Sequence, residues 1–591
     1  MQVSLQLSAA NQDLRAALPG GGAARTLSPN YRIMIRRFHF AATFAFVAVG
    51  ACSSASNPTP PPAPEAPGVA ISASDLRTRL YAYADDSMRG RQAGTPDNIR
   101  STAWIANQAR RIGLQPAGDS GTFFQNVPLV RRQLTSASSL ALVGQQLTAW
   151  TDYAPIDIQS PLRSIDGAVA IFAGRLADTS AMSRAIAGAG KVVVVRAMPG
   201  MSIFGAYAFV AQKYPQAAAI AFANQDNVVS QAASVLRNAP PYLKNRAEPE
   251  KSPLPGLLIL STRATTLLIG GDAESMAPGT VGRTVHGTIA YEEAPAPARN
   301  VVAILPGTDP ALRGEYVALG AHSDHIGIQS PGFDHDSLRT FNAKLHALGA
   351  LDPMTDFDPV KRASIRVNVD SLHRLRPARR DSISNGADDD GSGTVGLLEI
   401  AEAWVNAKGA DQPRRSALFV WHTAEELGLY GSEYFTDHPT VPRDSIVAQI
   451  NIDMIGRGSA SDVNGGGPDY LQLIGPKRLS SDYQNLITRV NAARATPFRI
   501  DYQFDAEGHP EQIYCRSDHW NYARYGIPVA FFSTGSHLDY HQVTDEPQYI
   551  DYDHYQNIVK FVYDVARTVA NRDARIIVDK PKPNPRSECR Q

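Results

Sequence analysis

Four apolar runs in the second half of the chain each lead into residues that can bind a metal ion. Tyr316–Ala321 (YVALGA) runs into His322. Ser416–Trp421 (SALFVW) is followed closely by Glu425 and Glu426. Ile446–Ile452 (IVAQINI) ends on Asp453, and Ile527–Ser533 (IPVAFFS) leads to His537 and His541. Apolar runs this short read as buried strands. Amphipathic stretches such as Thr394–Ala407 lie between them, and strands alternating with helices predict an α/β fold. In an open sheet of this kind, ligands bind beyond the carboxyl ends of the strands. The four runs therefore predict one site, with His, Glu-Glu, Asp and His delivered to a single edge.

The stretch Asn385–Gly393 (NGADDDGSG) adds three acids on a loop whose glycines permit a turn that residues with a Cβ would resist. Histidine and carboxylate donors are the set zinc takes when cysteine is absent. Two metals close together need a bridging carboxylate, and a rigid loop can supply one. Hydrolysis at such a pair also needs an acid that stays off the metal and moves the water's proton to the leaving group. Adjacent Glu425 and Glu426 could divide those roles. Taken singly, each feature has a plainer reading. A strand-end histidine is usually structural, paired glutamates usually begin a solvated helix, and Asp-Gly-Ser runs are usually turns. Their ordered conjunction favours the metal site.

Five blocks carry a more specific resemblance: GAHSDHIG (320–327), NGADDDGSG (385–393), TAEELGLYGS (423–432), NIDMIGR (451–457) and DYHQVTDE (539–546). In content and order they resemble the signature blocks of the co-catalytic dizinc aminopeptidases. That family includes bacterial leucyl aminopeptidases, aminopeptidase Y and glutamate carboxypeptidase-like enzymes. The resemblance implies a zinc exopeptidase fold, a mixed and mostly parallel sheet flanked by helices, over roughly 300 to 570. It implies two Zn2+ ions per chain: His322 and Asp453 on one, Glu426 and His541 on the other, Asp389 bridging. Glu425 would be general base and then acid, and Tyr540 would hydrogen-bond the developing oxyanion. Asp324 would orient the His322 imidazole from behind, and Asp390 would support the bridging loop. Many relatives have asparagine where Asp390 stands. Ser517-Asp518-His519 is similar to another family motif, read as either a pocket wall or structure. His325 and His422 stay open in the same way, and His537 reads as structural.

The chain also departs from the family pattern. Sixty-six residues separate His322 from Asp389, more than relatives carry. The excess, about 329–379, holds basic patches (His373-Arg-Leu-Arg, Arg379-Arg380) and is expected to cover or reshape the substrate entrance.

The rest of the chain divides by composition. Residues 34–52 resemble a bacterial lipoprotein signal peptide: Arg36 and Arg37, an apolar stretch, then small residues before a lipobox cysteine, Cys52. Residues 1–33 would then lie upstream of the true start. A Pro-rich linker at 53–70 follows, with six prolines among residues 57–67, a composition that stays extended. Residues 71–127 read as the helical start of the peptidase domain, with helices at Asp75–Tyr83 and Ala103–Ile112. Residues 128–297 carry many short apolar runs and read as an inserted β-rich domain. It resembles the protease-associated (PA) domain, and VVVVRAMPG is similar to that domain's central strand. The peptidase domain resumes over 298–572, and 573–591 reads as a flexible tail.

Composition narrows the partners. Lys+Arg and Asp+Glu both total 57, so nothing argues for nucleic acid. Three cysteines cannot frame a disulfide scaffold. One is the proposed anchor, and Cys589 sits in the tail, so a Cys515–Cys589 bond is not expected. No GxSxG elbow or HExxH helix offers another hydrolytic machinery. The expected protein is a zinc aminopeptidase acting on peptide N-termini through a hydroxide activated by the metal pair. It would be held by lipid at Cys52 and face the periplasm, most simply at the outer membrane. Carboxypeptidase or glutaminyl-cyclase chemistry, or a catalytically inactive binding relative, are the alternatives on the same scaffold.

Overall fold

The computed structural model describes residues 71–156, 162–176, 188–197, 203–235, 240–244, 254–347, 349–350 and 359–591. The expected upstream stretch 1–33, the signal peptide 34–52 with Cys52, and the linker 53–70 lie outside the described residues.

The molecule is of mixed α/β class, organised around a nine-stranded sheet. Its strands are β1 (Gln115–Pro116), β2 (Phe124–Asn126), β3 (Arg299–Leu305), β4 (Tyr316–His322), β5 (Ser416–His422), β6 (Ile446–Ile452), β7 (Tyr470–Ile474), β8 (Arg499–Asp501) and β9 (Val529–Ser533). The spatial order is β1-β3-β5-β4-β6-β9-β7-β8, with β2 also paired to β3. The four central strands β5, β4, β6 and β9 are mutually parallel, so their carboxyl ends share one edge. Those are the four strands whose ends carry the polar residues.

Alternation along the strands explains why the sheet is covered on both faces. In β5, Ala417, Phe419 and Trp421 join one core cluster, while Leu418 and Val420 join the other. Period-two burial on both sides is what a continuous apolar run in a parallel sheet must do. One face packs on helices α1 (Ala73–Tyr83), α2 (Pro96–Ile112), α3 (Gly393–Asn406) and α4 (Tyr552–Asn571). Helix α4 buries Tyr555, Ile558, Val559, Val562, Val565, Ala566 and Val569, the spacing of one helical stripe. Helix α2 begins seven residues before the expected Ala103, because Thr95 caps Asp97 N–H and Pro96 takes the first turn.

The β-rich region is an insertion in the strict topological sense. The chain leaves after β2 and returns at β3, which are antiparallel neighbours with Asn126 opposite Arg299. Val127 N–H donates to the Ala298 carbonyl at 3.0 Å, closing the neck. Beyond it, Leu129–Leu134 pairs with Tyr291–Ala296 and with Tyr242–Leu243 in a three-stranded stem. An eight-stranded sheet follows, with Val192–Arg196 parallel to both Ala168–Arg175 and Ala219–Phe222. The stem reaches back to the main domain: Leu129, Leu243 and Ala296 share a core with Ala424 and Tyr430.

One expectation is corrected here. The 573–591 tail is fastened to the body, because Cys589 forms a disulfide with Cys515. Gln591 accepts from Tyr514 N–H at 2.9 Å and donates to the Phe504 carbonyl at 2.6 Å. Proline and charge made the tail read as flexible, but a cross-link spanning 74 positions removes roughly 4 kcal/mol of unfolded-chain entropy. The 329–379 excess has secondary structure of its own. Gly327–Asp334 pairs with Arg380–Ser384, and helices His335–Leu345, Pro359–Ser364 and Val369–Leu375 lie between them.

Candidate metal centre

The expected ligands converge beyond the carboxyl ends of the central strands. His322 closes β4, Asp453 follows β6 directly, and Glu425-Glu426 lie a turn past β5. His541 sits in the loop after β9, and Asp389 in the turn that leads into α3. Asp389 is the hub: its Oδ1 is 3.1 Å from His322 Nε2, and its Oδ2 is 3.1 Å from His541 Nε2. His322 Nε2 is also 3.6 Å from Asp453 Oδ1, and His541 Nε2 is 3.0 Å from Glu426 Oε2. Ligand atoms of His322, Asp389 and Asp453 lie within 4.8 Å of one another, as do those of His325, Asp389 and Glu426. The donors are all imidazole nitrogen or carboxylate oxygen, which suits zinc.

The backbone is shaped to make this possible. Gly386 has φ 55°, and a Cβ there would come within 2.6 Å of the His325 ring. Three residues with side chains also take left-handed φ at the site: Ala424 (57°), Met454 (59°) and His541 itself (56°). Such conformations persist only where surrounding contacts over-determine them.

Neighbours fix the first residues in place. Ser517 Oγ donates to Asp453 Oδ2 at 2.7 Å, and Asn451 Nδ2 donates to Ser517 Oγ at 2.8 Å. His325 Nδ1 lies 2.8 Å from Glu426 Oε1. Asp545 accepts the N–H groups of both Asp388 and Asp389 at 3.1 Å. Asp390 accepts His322 N–H at 2.8 Å and Gly393 N–H at 2.8 Å, tying β4 to the start of α3. Asp324 supports His322 with a different atom from the one expected. Its carbonyl oxygen is 3.1 Å from His322 Nδ1, while its carboxylate stands 3.7 Å away and accepts Glu425 N–H at 3.1 Å.

The remaining residues have distinct surroundings. Tyr540 stacks on His541 with centroids 3.9 Å apart, and Arg516 Nη2 donates to its hydroxyl at 3.4 Å. His537 Nε2 is 3.3 Å from Asp388 Oδ2, behind the bridging loop. His422 is fully buried between Asp518, at 3.3 Å, and Tyr522, at 3.0 Å. His519 stacks on Phe531 in the core. Reading the sequence alone did not single out Arg516 or Asp545, and it marked Ser517 only as part of the Ser517-Asp518-His519 motif. Each stands beside a recognised block or inside one, so adjacency was the available signal.

Four carboxyl groups crowd two histidines here, and the electrostatics follow. Burial disfavours charge on His322 and His541, but Asp453 and Glu425 around the first, and Glu426 beside the second, hold both well above the usual imidazole range. Burial also works against Asp389, yet hydrogen bonds from both histidines keep it well below the usual carboxylate range. Glu426 is drawn down to about 2 by His541 and His325, against burial. Glu425 is pushed well above its ordinary value by burial, with Asp453 and Glu426 adding to the push. Cations among these acids would relieve that repulsion.

Residues 361–566 match the model of peptidase family M28. That span contains Asp389, Glu425, Glu426, Asp453 and His541, while His322 lies before it. A leucine aminopeptidase 1 of Ajellomyces capsulatus is 31% identical over 202 residues, covering 33% of this chain and 49% of the relative. Leupeptin-inactivating enzyme 1 of Streptomyces exfoliatus is 31% identical over 171 residues, covering 28% of this chain and 33% of that one. The chain thus spans about half the length of the fungal relative. A zinc aminopeptidase structure from Bacillus subtilis aligns over 86% of this chain and 97% of its own, at 16% identity and a TM-score of 0.46.

Proposed function

We propose that this chain, which carries the peptidase family M28 segment over residues 361–566, is a two-zinc aminopeptidase. The observation that carries the reading is Asp389, which turns one carboxylate oxygen to His322 and the other to His541. A carboxylate so placed can serve two ions at once. His322 and Asp453 would hold the first and Glu426 and His541 the second, with Asp389 between them. Zinc held there supplies Lewis acidity toward a carbonyl and lowers the pKa of water.

The chain's own groups then have separable tasks. Glu425 adjoins a ligand, and Asp324 accepts its backbone N–H group, which anchors the residue's main chain beside the cluster. It would accept the proton of the attacking water and deliver it to the leaving amine. Tyr540 accepts a hydrogen bond from Arg516, which leaves its own O–H free to donate to the developing oxyanion. Burial pushes the Tyr540 hydroxyl up to about 12, so it stays a donor at neutral pH. His325 would steady Glu426, and Ser517 would steady Asp453.

Two finer readings belong to the same proposal. The 128–297 insertion is a PA-like domain. The chain is held by lipid at Cys52 on the periplasmic side of a bacterial envelope, which agrees with a body closed by the Cys515–Cys589 bond.

Glu425→Ala should keep two zinc ions per chain and lose turnover by about 10²–10⁴-fold. Metal analysis of the variant beside a rate assay checks this, and near-normal rates would remove Glu425 from the role. A panel of free and N-blocked peptides, with and without chelator, tests the class. Cleavage of blocked peptides at their C-termini would point to carboxypeptidase chemistry instead.

A further inference from the structure

The excursion from 327 to 384 does not hang free beside the site. It springs from the segment just after His322 and His325 and returns immediately before Asn385, so both of its ends are anchored in site-bearing chain. Between those ends it grips the loop after β9 at four points. Arg339 pairs with Asp539, and its guanidinium lies over the Tyr549 ring at 3.6 Å. His335 stacks on the same ring, with Nε2 3.3 Å from Glu546 Oε2. Arg379 Nη2 reaches Glu546 Oε2 at 3.0 Å. Gln329 Nε2 donates to the backbone carbonyl of His541 at 3.4 Å.

That loop needs holding. His541 has φ 56° and lies outside any strand or helix, so no regular ladder keeps its imidazole aimed. Asp539, two residues earlier, is fully buried, and two guanidinium groups share its Oδ2. Arg457, from the turn after β6, approaches it at 3.1 Å. Arg339, from the excursion, pairs with the same Oδ2 and is partly exposed. The asymmetry matters. Without Arg339 the buried carboxylate still has Arg457, so the loop would lose a tether without stranding an unpaired charge.

We propose that the described residues of the 327–384 excursion form a strap that positions His541 for the second metal ion, with Arg339 as the positioning residue that fastens it. The inference rests on the two-zinc reading and assigns to the extra chain the holding of one ion in particular. His322 and Asp453 belong to strand ends and receive none of the strap contacts named above, so the first ion should be indifferent to it.

The test is zinc affinity, read without turnover. Native protein and Arg339→Ala are stripped of metal, and each is titrated with zinc against a chromophoric chelator, with the melting temperature recorded in parallel. The expected result is two ions on the native protein and, in Arg339→Ala, one ion bound as before and one bound at least tenfold more weakly. Arg339→Lys restores the charge without the planar face over Tyr549 and should recover part of the difference. Arg379→Gln, at the more exposed end of the strap, should weaken the same ion by a smaller factor. Two unchanged affinities in Arg339→Ala would overturn the proposal. So would equal weakening of both ions or a collapsed melting transition, since either would mean that the pair serves the fold at large. A native protein holding fewer than two ions would instead sink the two-zinc reading on which the strap depends.

Discussion

Asp389 concentrates the chemistry of the site in a single carboxylate. Both oxygens already face imidazoles, so a methyl group there would remove a donor atom from each of the two proposed ions at once. Asp389→Ala should therefore leave less than one zinc ion per chain after dialysis, with the sheet intact by circular dichroism. Metal content near two would refute the bridging role. At this scale much was legible. His322, Glu426, Asp453 and His541 are all polar residues placed at or just past the end of an apolar run, a pattern that one-dimensional reading detects. Their supports were not. His325 and Ser517 meet Glu426 and Asp453 only through chain crossings, and the choice between the carbonyl and carboxylate of Asp324 depends on a turn whose angles no residue type dictates.

Elements show how burial sets charge. The helix His519–Ala523 begins on an imidazole stacked against Phe531. Burial, with Arg478 nearby, pushes the His519 pKa down to about 3. A histidine depressed below its unfolded value of about 6.5 binds more protons when the chain unfolds. Its contribution is thus fully present above about pH 6.5 and is lost as the pH falls from there toward 3, on the order of a few kcal/mol at full titration. His519→Leu should flatten the acid side of a melting-temperature profile between pH 6.5 and 5. A variant that tracks the native curve would show that other groups carry the acid sensitivity. Strand elements were easy to locate because apolar runs bury on both faces. The strap was not: its hairpin and helices are polar over most of their length, and what fastens them to the loop after β9 is ion pairing to Asp539 and Glu546. The Cys515–Cys589 bond escaped for the same reason, since proximity of a proline-rich tail to a distant segment leaves no local trace.

At the scale of the whole molecule, the insertion tests how separable the parts are. Its stem strands meet at Leu134 and Tyr291, and Thr135 N–H donates to the Ala290 carbonyl at 2.9 Å. Replacing 136–289 with a short glycine-serine turn should leave a folded chain that still binds two zinc ions. Leu129 and Ala296 stay in their core with Ala424, although the Tyr242–Leu243 strand is lost. Loss of metal from the excised chain would show that the inserted domain is needed for the site itself.

The candidate ligands come from two strand ends, two loops beyond strands and one turn, far apart in the chain, and this would tie metal supply to the life of the protein. An unfolded chain offers no ready chelate, so on the proposed reading zinc would be taken up only by molecules whose central strands have already paired. By mass action, free zinc at one hundred times its dissociation constant would add about 2.7 kcal/mol to the folded state. Scarcity would withdraw that support before it emptied every site. Where zinc is contested, the number of surviving molecules would fall together with the activity of each one.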